Sequence, residues 1–268
     1  MDVPLLLVGC GKMGSALLTG WLGRGAANIV VVEPGRAAAQ AAAAYGATVA
    51  GEASLVDPSF APRVVVFAVK PQVMDAVVPG FAGYAGGETV FLSIAAGTPI
   101  GFFESALGAA ARIVRAMPNT PAAIGRGMSV LCANAAAGDT DRRLCGDLLA
   151  AVGEVAWVED EDLMDAVTAA SGSGPAYVFL LIECLAGAAA EAGLPRDLAA
   201  QLAKATVEGA AELSRQSGET AAKLRENVTS PGGTTAAALE VLMAPDGLKL
   251  LMTRAVAAAA ARSRELAG

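Results

Sequence analysis

Three glycines and one carboxylate open the chemical reading of this chain. The stretch "VPLLLVGCGKMGSALLTGWL" sets Gly9, Gly11 and Gly14 in a G-x-G-x-x-G spacing, after an apolar run and before an amphipathic one. Each glycine then has a task. Gly9 makes the tight turn, Gly11 lets a pyrophosphate approach the backbone, and Gly14 lets a helix pack on the strand. Cys10, Lys12 and Met13 complete the turn and share in the expected cofactor contact. Glu33 ends the next apolar run, where an acidic side chain would accept hydrogen bonds from an adenosine ribose and disfavour a 2'-phosphate. Arg36 argues the other way, so NADH and NADPH both stay open as the cofactor. The competing reading is that the glycines merely close a strand-to-helix turn.

Two further stretches extend this dinucleotide site. "VVVFAVKPQVM" ends a buried strand at Ala68 and Val69 and delivers Lys70 and Pro71 to the carboxyl edge of a sheet, where such folds bind ligands. "FLSIAAGTPI" ends another in Ala95, Ala96 and Gly97, small enough to leave room for a nicotinamide ring. Asn119, in "MPNTP", is exposed by two fixed prolines and is a candidate to bind nicotinamide or substrate, against the plain alternative of a turn.

What would accept the hydride is narrowed by what is missing. The chain has no histidine, and none of Tyr45, Tyr84 and Tyr177 has a lysine four positions on. The lysine that β-hydroxyacid dehydrogenases place in a helix after a Gly-x-Gly turn is matched in "SGSGPAYVFLL" by Val178. Three common relays for an alcohol proton are therefore absent. A cyclic imine, basic enough to be protonated before it reacts, needs none of them, so reduction of a C=N bond is the expectation. A second anion site is suggested by "NVTSPGGTTAAAL", where hydroxyls and a Pro-Gly-Gly turn introduce an alanine helix. Free N–H groups at a helix start, with a glycine bend that permits close approach, suit an anion. A merely capped helix start is the alternative.

The elements that must position these residues change character near residue 160. Up to Val158, "VPLLLV", "NIVVVE", "RVVVFAV", "ETVFLSIA", "ARIVRAM", "MSVLCA" and "GEVAWV" read as strands alternating with helices. That pattern argues for parallel βαβ units in a doubly wound, Rossmann-type α/β sheet over residues 1–160. Residues 161–268 carry no strand candidate; long Ala/Leu stretches broken at "SGSGP", "GLP", "SGE", "TSPGG" and "APDG" predict an all-helical domain. Ser171 and Ser173 are read as caps for a helix from Pro175, in a turn that shapes a pocket wall rather than performs chemistry, Glu159 to Asp162 as a solvated helix start, and Glu208 and Glu212 as surface or dimer-contact residues.

The formal net charge of -7 offers no basic face for nucleic acid. "AYVFLLIECLAGAAAEAG" is interrupted by Glu183 and Glu191 and is read as too short and too charged to cross a bilayer about 30 Å thick. The start lacks a basic leader, and the scattered Cys10, Cys132, Cys145 and Cys184 have no metal-ligand spacing. No metal is expected, and a reduced cytoplasmic setting fits these features best.

Read in order, "GCGKMGSALL", "FAVKPQ", "SIAAG", "RAMPNTPAAIGRGMS", "DAVTAASGSGPAYVF", "AGLPRDLA" and "RENVTSPGGTTAAALEVL" resemble the pyrroline-5-carboxylate reductase family over nearly the whole chain. The resemblance implies a Rossmann domain, a helical domain that interlocks with a second subunit in a homodimer or larger ring, and NAD(P)H-dependent reduction of 1-pyrroline-5-carboxylate to L-proline. It also implies that Ser230, Gly232, Gly233, Thr234 and Thr235 hold the substrate carboxylate. Thr235 would stand near the ring nitrogen, while Thr234 matches a family position that is often alanine. A regulatory protein that keeps the scaffold without turnover is the reading from a different class.

Overall fold

The computed structural model describes residues 3–267, so Met1, Asp2 and Gly268, which close the two expected domain ranges, lie outside the described residues. The chain divides into two compact units, one running to Gly172 and taking in the chain again from Ala259, the other Ser173–Ala258.

The first unit is an eight-stranded sheet among the described residues. Its strands are β1 (Leu5–Val8), β2 (Ile29–Val32), β3 (Thr48–Ala50), β4 (Val64–Phe67), β5 (Val90–Ser93), β6 (Arg112–Met117), β7 (Gly127–Ala133) and β8 (Gly153–Trp157). They lie in the order β3-β2-β1-β4-β5-β6-β7-β8. The helices α1 (Lys12–Gly23), α2 (Arg36–Ala44), α3 (Met74–Val77), α4 (Ile100–Leu107), α5 (Asp139–Ala150) and α6 (Met164–Val167) connect or follow them. The strands are apolar on both faces because both faces are covered. On one, Leu5, Leu7, Val64 and Val66 pack with Leu17, Leu18, Trp21 and Leu148 of α1 and α5. Trp21 Nε1–H donates to the Leu148 carbonyl at 2.9 Å and ties those helices together. On the other, Leu6, Val8 and Phe67 pack with Met74, Phe81 and Phe103.

All seven expected strands form. β3 is an eighth, too short and too little apolar in "TVA" to announce itself. The expected parallel units form a doubly wound sheet, and the exception to parallel pairing among the described residues is β7, which runs antiparallel to β6 with Met117 opposite Val130. The cause is length. The connection Pro118–Arg126 holds only the 3-10 turn Thr120–Ile124 and Gly125 at φ 69°, whereas a parallel crossover needs about a dozen residues or more.

The second unit is helical, with α7 (Gly174–Glu191), α8 (Arg196–Ser217), α9 (Ala221–Asn227), α10 (Thr234–Leu242) and the start of α11 (Leu248–Ala267). Gly193 (φ 105°) turns α7 back along α8, and Gly218 (φ 68°) ends α8 in the left-handed conformation. The "SGSGP" stretch does not break the chain as expected. Thr168–Gly172 is a π-helical turn that feeds α7 directly, and Ser173 has helical dihedrals with no side-chain capping bond. Helix therefore runs from Glu161 to Glu191, long and apolar enough to cross a membrane by length and composition alone, with none of its apolar window buried. That corrects the expectation that this segment is too short.

Candidate active site

The glycine turn stands at the point where the sheet order reverses, since β1 pairs with both β2 and β4. Ligands of doubly wound sheets bind in the crevice beyond the strand ends at such a point. Gly9 has φ 90°, and its N–H donates to the Val32 carbonyl at 2.8 Å. A Cβ there would stand 2.7 Å from Val69 Cγ1 and 2.9 Å from the Ala68 carbonyl oxygen, so the loops after β1 and β4 touch across the crevice. Gly14 is closed more tightly, because its Cβ would fall 2.3 Å from the Gly9 carbonyl oxygen. Gly11 is the opposite case, with nothing within 4 Å of an added Cβ. The first backbone bond of α1 is Ser15 N–H to the Gly11 carbonyl at 2.8 Å, so the amides of Lys12, Met13 and Gly14 precede it. Two tight glycines thus shape an open third one under unbonded amides, a cradle that fits a pyrophosphate.

Glu33 is half-buried at the rim, and its carboxylate faces this cradle. Oε2 accepts the Cys10 N–H and Oε1 accepts the Gly35 N–H, each at 2.7 Å. Both oxygens retain a second lone pair for a ribose hydroxyl. Cys10 itself is 4% exposed, and burial first and the Glu33 charge second push its thiol upward, so it contributes an amide rather than a reactive sulfur. Burial likewise raises Cys132 to about 11.

The remaining expected contacts divide by exposure. Lys12, Arg36, Lys70, Pro71 and Ala96 are exposed, Met13, Ala68 and Val69 are half-buried, and Ala95 is buried, its N–H donating to Ser93 Oγ at 3.3 Å. Asn119 is already engaged. Its Nδ2 donates to the Ser171 carbonyl and hydroxyl at 3.2 and 3.3 Å, and its Oδ1 accepts the Met128 N–H at 2.8 Å. Its carboxamide holds the start of β7 and the π turn together, and Ser171 serves as its acceptor rather than as a helix cap.

The acidic cluster is also more than a solvated helix start. Glu159 makes a bidentate pair with Arg142 at 2.9 and 3.0 Å, and Glu161 pairs with the buried Arg115 at 2.7 Å. The sequence held one signal for the latter, since an arginine in the middle of the apolar strand "ARIVRAM" must find a buried partner.

In the second unit, "SPGGTT" forms the expected bend. Gly232 has φ 68°, Gly233 is the helix cap and its N–H returns to the Ser230 carbonyl at 3.0 Å. The first bond of α10 is Ala237 N–H to the Gly233 carbonyl at 3.2 Å, leaving the amides of Thr234, Thr235 and Ala236 ahead of it. Among the described residues no side chain caps them, so the serine and threonine hydroxyls are not consumed as caps. Ser230, Gly232 and Thr234 are exposed and Thr235 is half-buried.

A doubly wound sheet with this cradle, followed by a helical unit with its own uncapped amides, defines the class: a two-domain dinucleotide-dependent oxidoreductase. Comparison with known proteins gives the family. Residues 161–266 match the family described as pyrroline-5-carboxylate reductase dimerisation, and residues 5–97 match NADP oxidoreductase, coenzyme F420-dependent. A pyrroline-5-carboxylate reductase of Pseudomonas aeruginosa is 41% identical over 276 residues, spanning 100% of this chain and 98% of the relative. The structure of a pyrroline-5-carboxylate reductase from Coxiella burnetii superposes with a TM-score of 0.93 at 33% identity, covering 99% of each chain. That of the Plasmodium falciparum enzyme with NADP bound gives 0.81 at 30% identity, covering 99% of this chain and 98% of that one. This chain belongs to the pyrroline-5-carboxylate reductase family.

Proposed function

We infer that the chain reduces 1-pyrroline-5-carboxylate to L-proline with NADPH or NADH as the reductant. The observation that carries this is the 41% identity to the Pseudomonas aeruginosa reductase across the full length of both chains. The open cradle at Gly11 supports the cofactor half of the reading.

The roles divide as residues 1–160 for the cofactor and 161–268 for substrate and subunit contact. The amides of Gly11, Lys12, Met13 and Gly14 hold the pyrophosphate while Cys10 keeps its N–H on Glu33 and so orients that carboxylate beside them, Glu33 or Arg36 meets the adenosine ribose, and Ala68 to Pro71 with Ala95 and Ala96 line the nicotinamide half. Asn119 acts on that half through the turn it holds. When bound, the reduced nicotinamide supplies a hydride to the imine carbon. The chain's own part is to bind and orient. The bend at Ser230, Gly232, Gly233 and Thr234 anchors the substrate carboxylate on the amides of α10, and Thr235 directs its hydroxyl at the ring nitrogen. Because an iminium is already protonated, the site needs no histidine or lysine relay, in keeping with a chain that has no histidine. The protein works as a cytoplasmic homodimer or larger homo-oligomer, with neither nucleic acid nor membrane as partner.

The test is loss of reduced-nicotinamide absorbance on mixing the purified chain with 1-pyrroline-5-carboxylate and each cofactor in turn. Proline formation is expected with at least one of them; cofactor binding without turnover would instead sustain the non-catalytic reading. Thr235→Ala should lower kcat/KM by about 1.5–3 kcal/mol, the loss of a hydrogen bond to a charged group. Full activity in that variant would remove Thr235 from the site.

A further inference from the structure

The start of α4, where the loop from β5 ends, is bonded to a carboxylate that lies far along the chain. Glu161 Oε1 accepts the Ile100 N–H at 2.9 Å and pairs with Arg115 Nη1 at 2.7 Å. Ile100 opens α4 directly after its cap Pro99, so Glu161 satisfies one of the free amides of that helix and places a negative charge at its positive end. Arg115 is only 5% exposed, and it lies in β6 opposite Ser93, the last residue of β5. A guanidinium buried this deeply is costly without its partner, so Arg115 fixes where Glu161 can sit. The start of α4 is therefore referenced to the centre of the sheet through two consecutive bonds, Arg115 to Glu161 and Glu161 to Ile100. Ala96 and Ala95 lie four and five residues upstream of Ile100, across the three-residue stretch of Gly97, Thr98 and Pro99, and Ala95 is held by Ser93 Oγ from the other side.

We propose that Glu161, locked by Arg115, is a positioning residue of the reductase, setting the β5–α4 loop at the depth the nicotinamide requires for hydride transfer. The proposal rests on the assignment of Ala95 and Ala96 to the nicotinamide half of the site. Glu161 acts through the loop. Because the glycine cradle holds the pyrophosphate separately, a displaced loop should slow the chemical step and leave cofactor affinity nearly intact.

The experiment compares the wild type with Glu161→Ala, Ile100→Pro and Ile100→Ala, and with Asp141→Asn as a control. Proline is tolerated at the first helical position, and Pro99 has the extended ψ of 161° that a residue before proline adopts. Ile100→Pro thus removes the donated N–H while leaving the ion pair, and Ile100→Ala reports the loss of packing alone. Asp141 is 2% exposed, pairs with Arg63 at 2.6 Å and controls for loss of a buried ion pair elsewhere. Glu161→Ala and Ile100→Pro should lower kcat about five- to tenfold, the order expected when reacting atoms are held slightly out of line. The dissociation constant of the reduced cofactor, read by its fluorescence, should change less than about twofold, and the primary isotope effect with cofactor deuterated at the transferred position should rise. Ile100→Ala and Asp141→Asn should lower the melting temperature without raising the isotope effect. Wild-type kcat and isotope effect in folded Glu161→Ala and Ile100→Pro would overturn the proposal, and Ile100→Pro decides alone if Glu161→Ala does not fold. Absence of turnover in the wild type would sink the reductase reading itself, a result distinct from active but unaltered variants.

Discussion

At the scale of single residues, Glu33 combines the ribose contact proposed for it with a structural task that the sequence does not present. Its position just after β2 is the ground on which the ribose contact is proposed. Its bonds to the amides of Cys10 and Gly35 could not be read there, because they depend on two loops converging in space. The same holds for Asn119, legible as a polar residue between fixed prolines but not as the clasp between Met128 and Ser171. By contrast, the structural tasks of Gly9 and Gly14 were legible from their spacing, since the φ of 90° at Gly9 and the Gly9 carbonyl pressed against Gly14 each demand the absence of a side chain. The second task of Glu33 shapes what its removal should do. Two unit charges about 4 Å apart repel by about 4 kcal/mol at an effective dielectric of about 20, and solvent and the exposed Arg36 offset part of that at the rim. Glu33→Ser should therefore raise the ratio of kcat/KM for NADPH to that for NADH by about tenfold, equivalent to about 1.4 kcal/mol. Both values should also fall somewhat, because Cys10 N–H loses its acceptor. Steady-state kinetics with the two cofactors check this, and an unchanged ratio would move the ribose contact away from Glu33.

At the scale of elements, the turn from β1 into α1 holds one glycine closed in by the fold and another, in open space, for which a binding role is proposed. An alanine Cβ at Gly14 meets the Gly9 carbonyl oxygen at 2.3 Å, and a backbone atom cannot swing aside as a flexible side chain does. Overpacking of this kind costs about 1–3 kcal/mol. Gly14→Ala should lower the melting temperature by about 2–10 °C without cofactor present. Gly11 has φ -69° and open space around its Cβ, so Gly11→Ala should melt like the wild type. Its methyl would occupy the cradle, and the stabilisation that reduced cofactor confers on the wild type should be largely lost. Thermal melts with and without cofactor separate the two, and a Gly11→Ala variant stabilised like the wild type would remove the pyrophosphate from that turn. Elements also show where patterns in the sequence mislead. Apolar runs located the seven long strands, but the direction of β7 is set by the length of a connection rather than by composition. The "SGSGP" stretch carries every sign of a helix stop, yet an extra residue absorbed as a π turn keeps the helix going.

At the scale of the whole molecule, the two units meet the hydrophobic effect differently. The sheet buries its aliphatic strands on both faces, and Phe67 gathers Phe81, Phe91 and Phe103 at ring distances of 5.6, 6.1 and 5.7 Å. In the helical unit, Val178, Phe179, Leu180, Leu181 and Leu185 of α7 are 39–58% exposed, and α8 buries only alanines, Ala199 and Ala203, among the described residues. Four consecutive residues point all round a helix, and apolar surface of this extent is an interaction surface in a protein that remains dispersed. The match of residues 161–266 to a family described by its dimerisation makes a second copy of the chain the occupant we expect. A charge at Leu181, within that surface, would have to be buried unpaired in the assembly. Leu181→Glu should therefore convert the oligomer to monomer at micromolar concentration, and its melting temperature should fall and lose the dependence on protein concentration that an oligomer shows. Sedimentation velocity checks the first outcome and melts across a hundredfold dilution the second. An oligomer undisturbed by Leu181→Glu would place the subunit contact on another face, and recovery of the wild-type chain in the membrane fraction would give α7 to lipid instead.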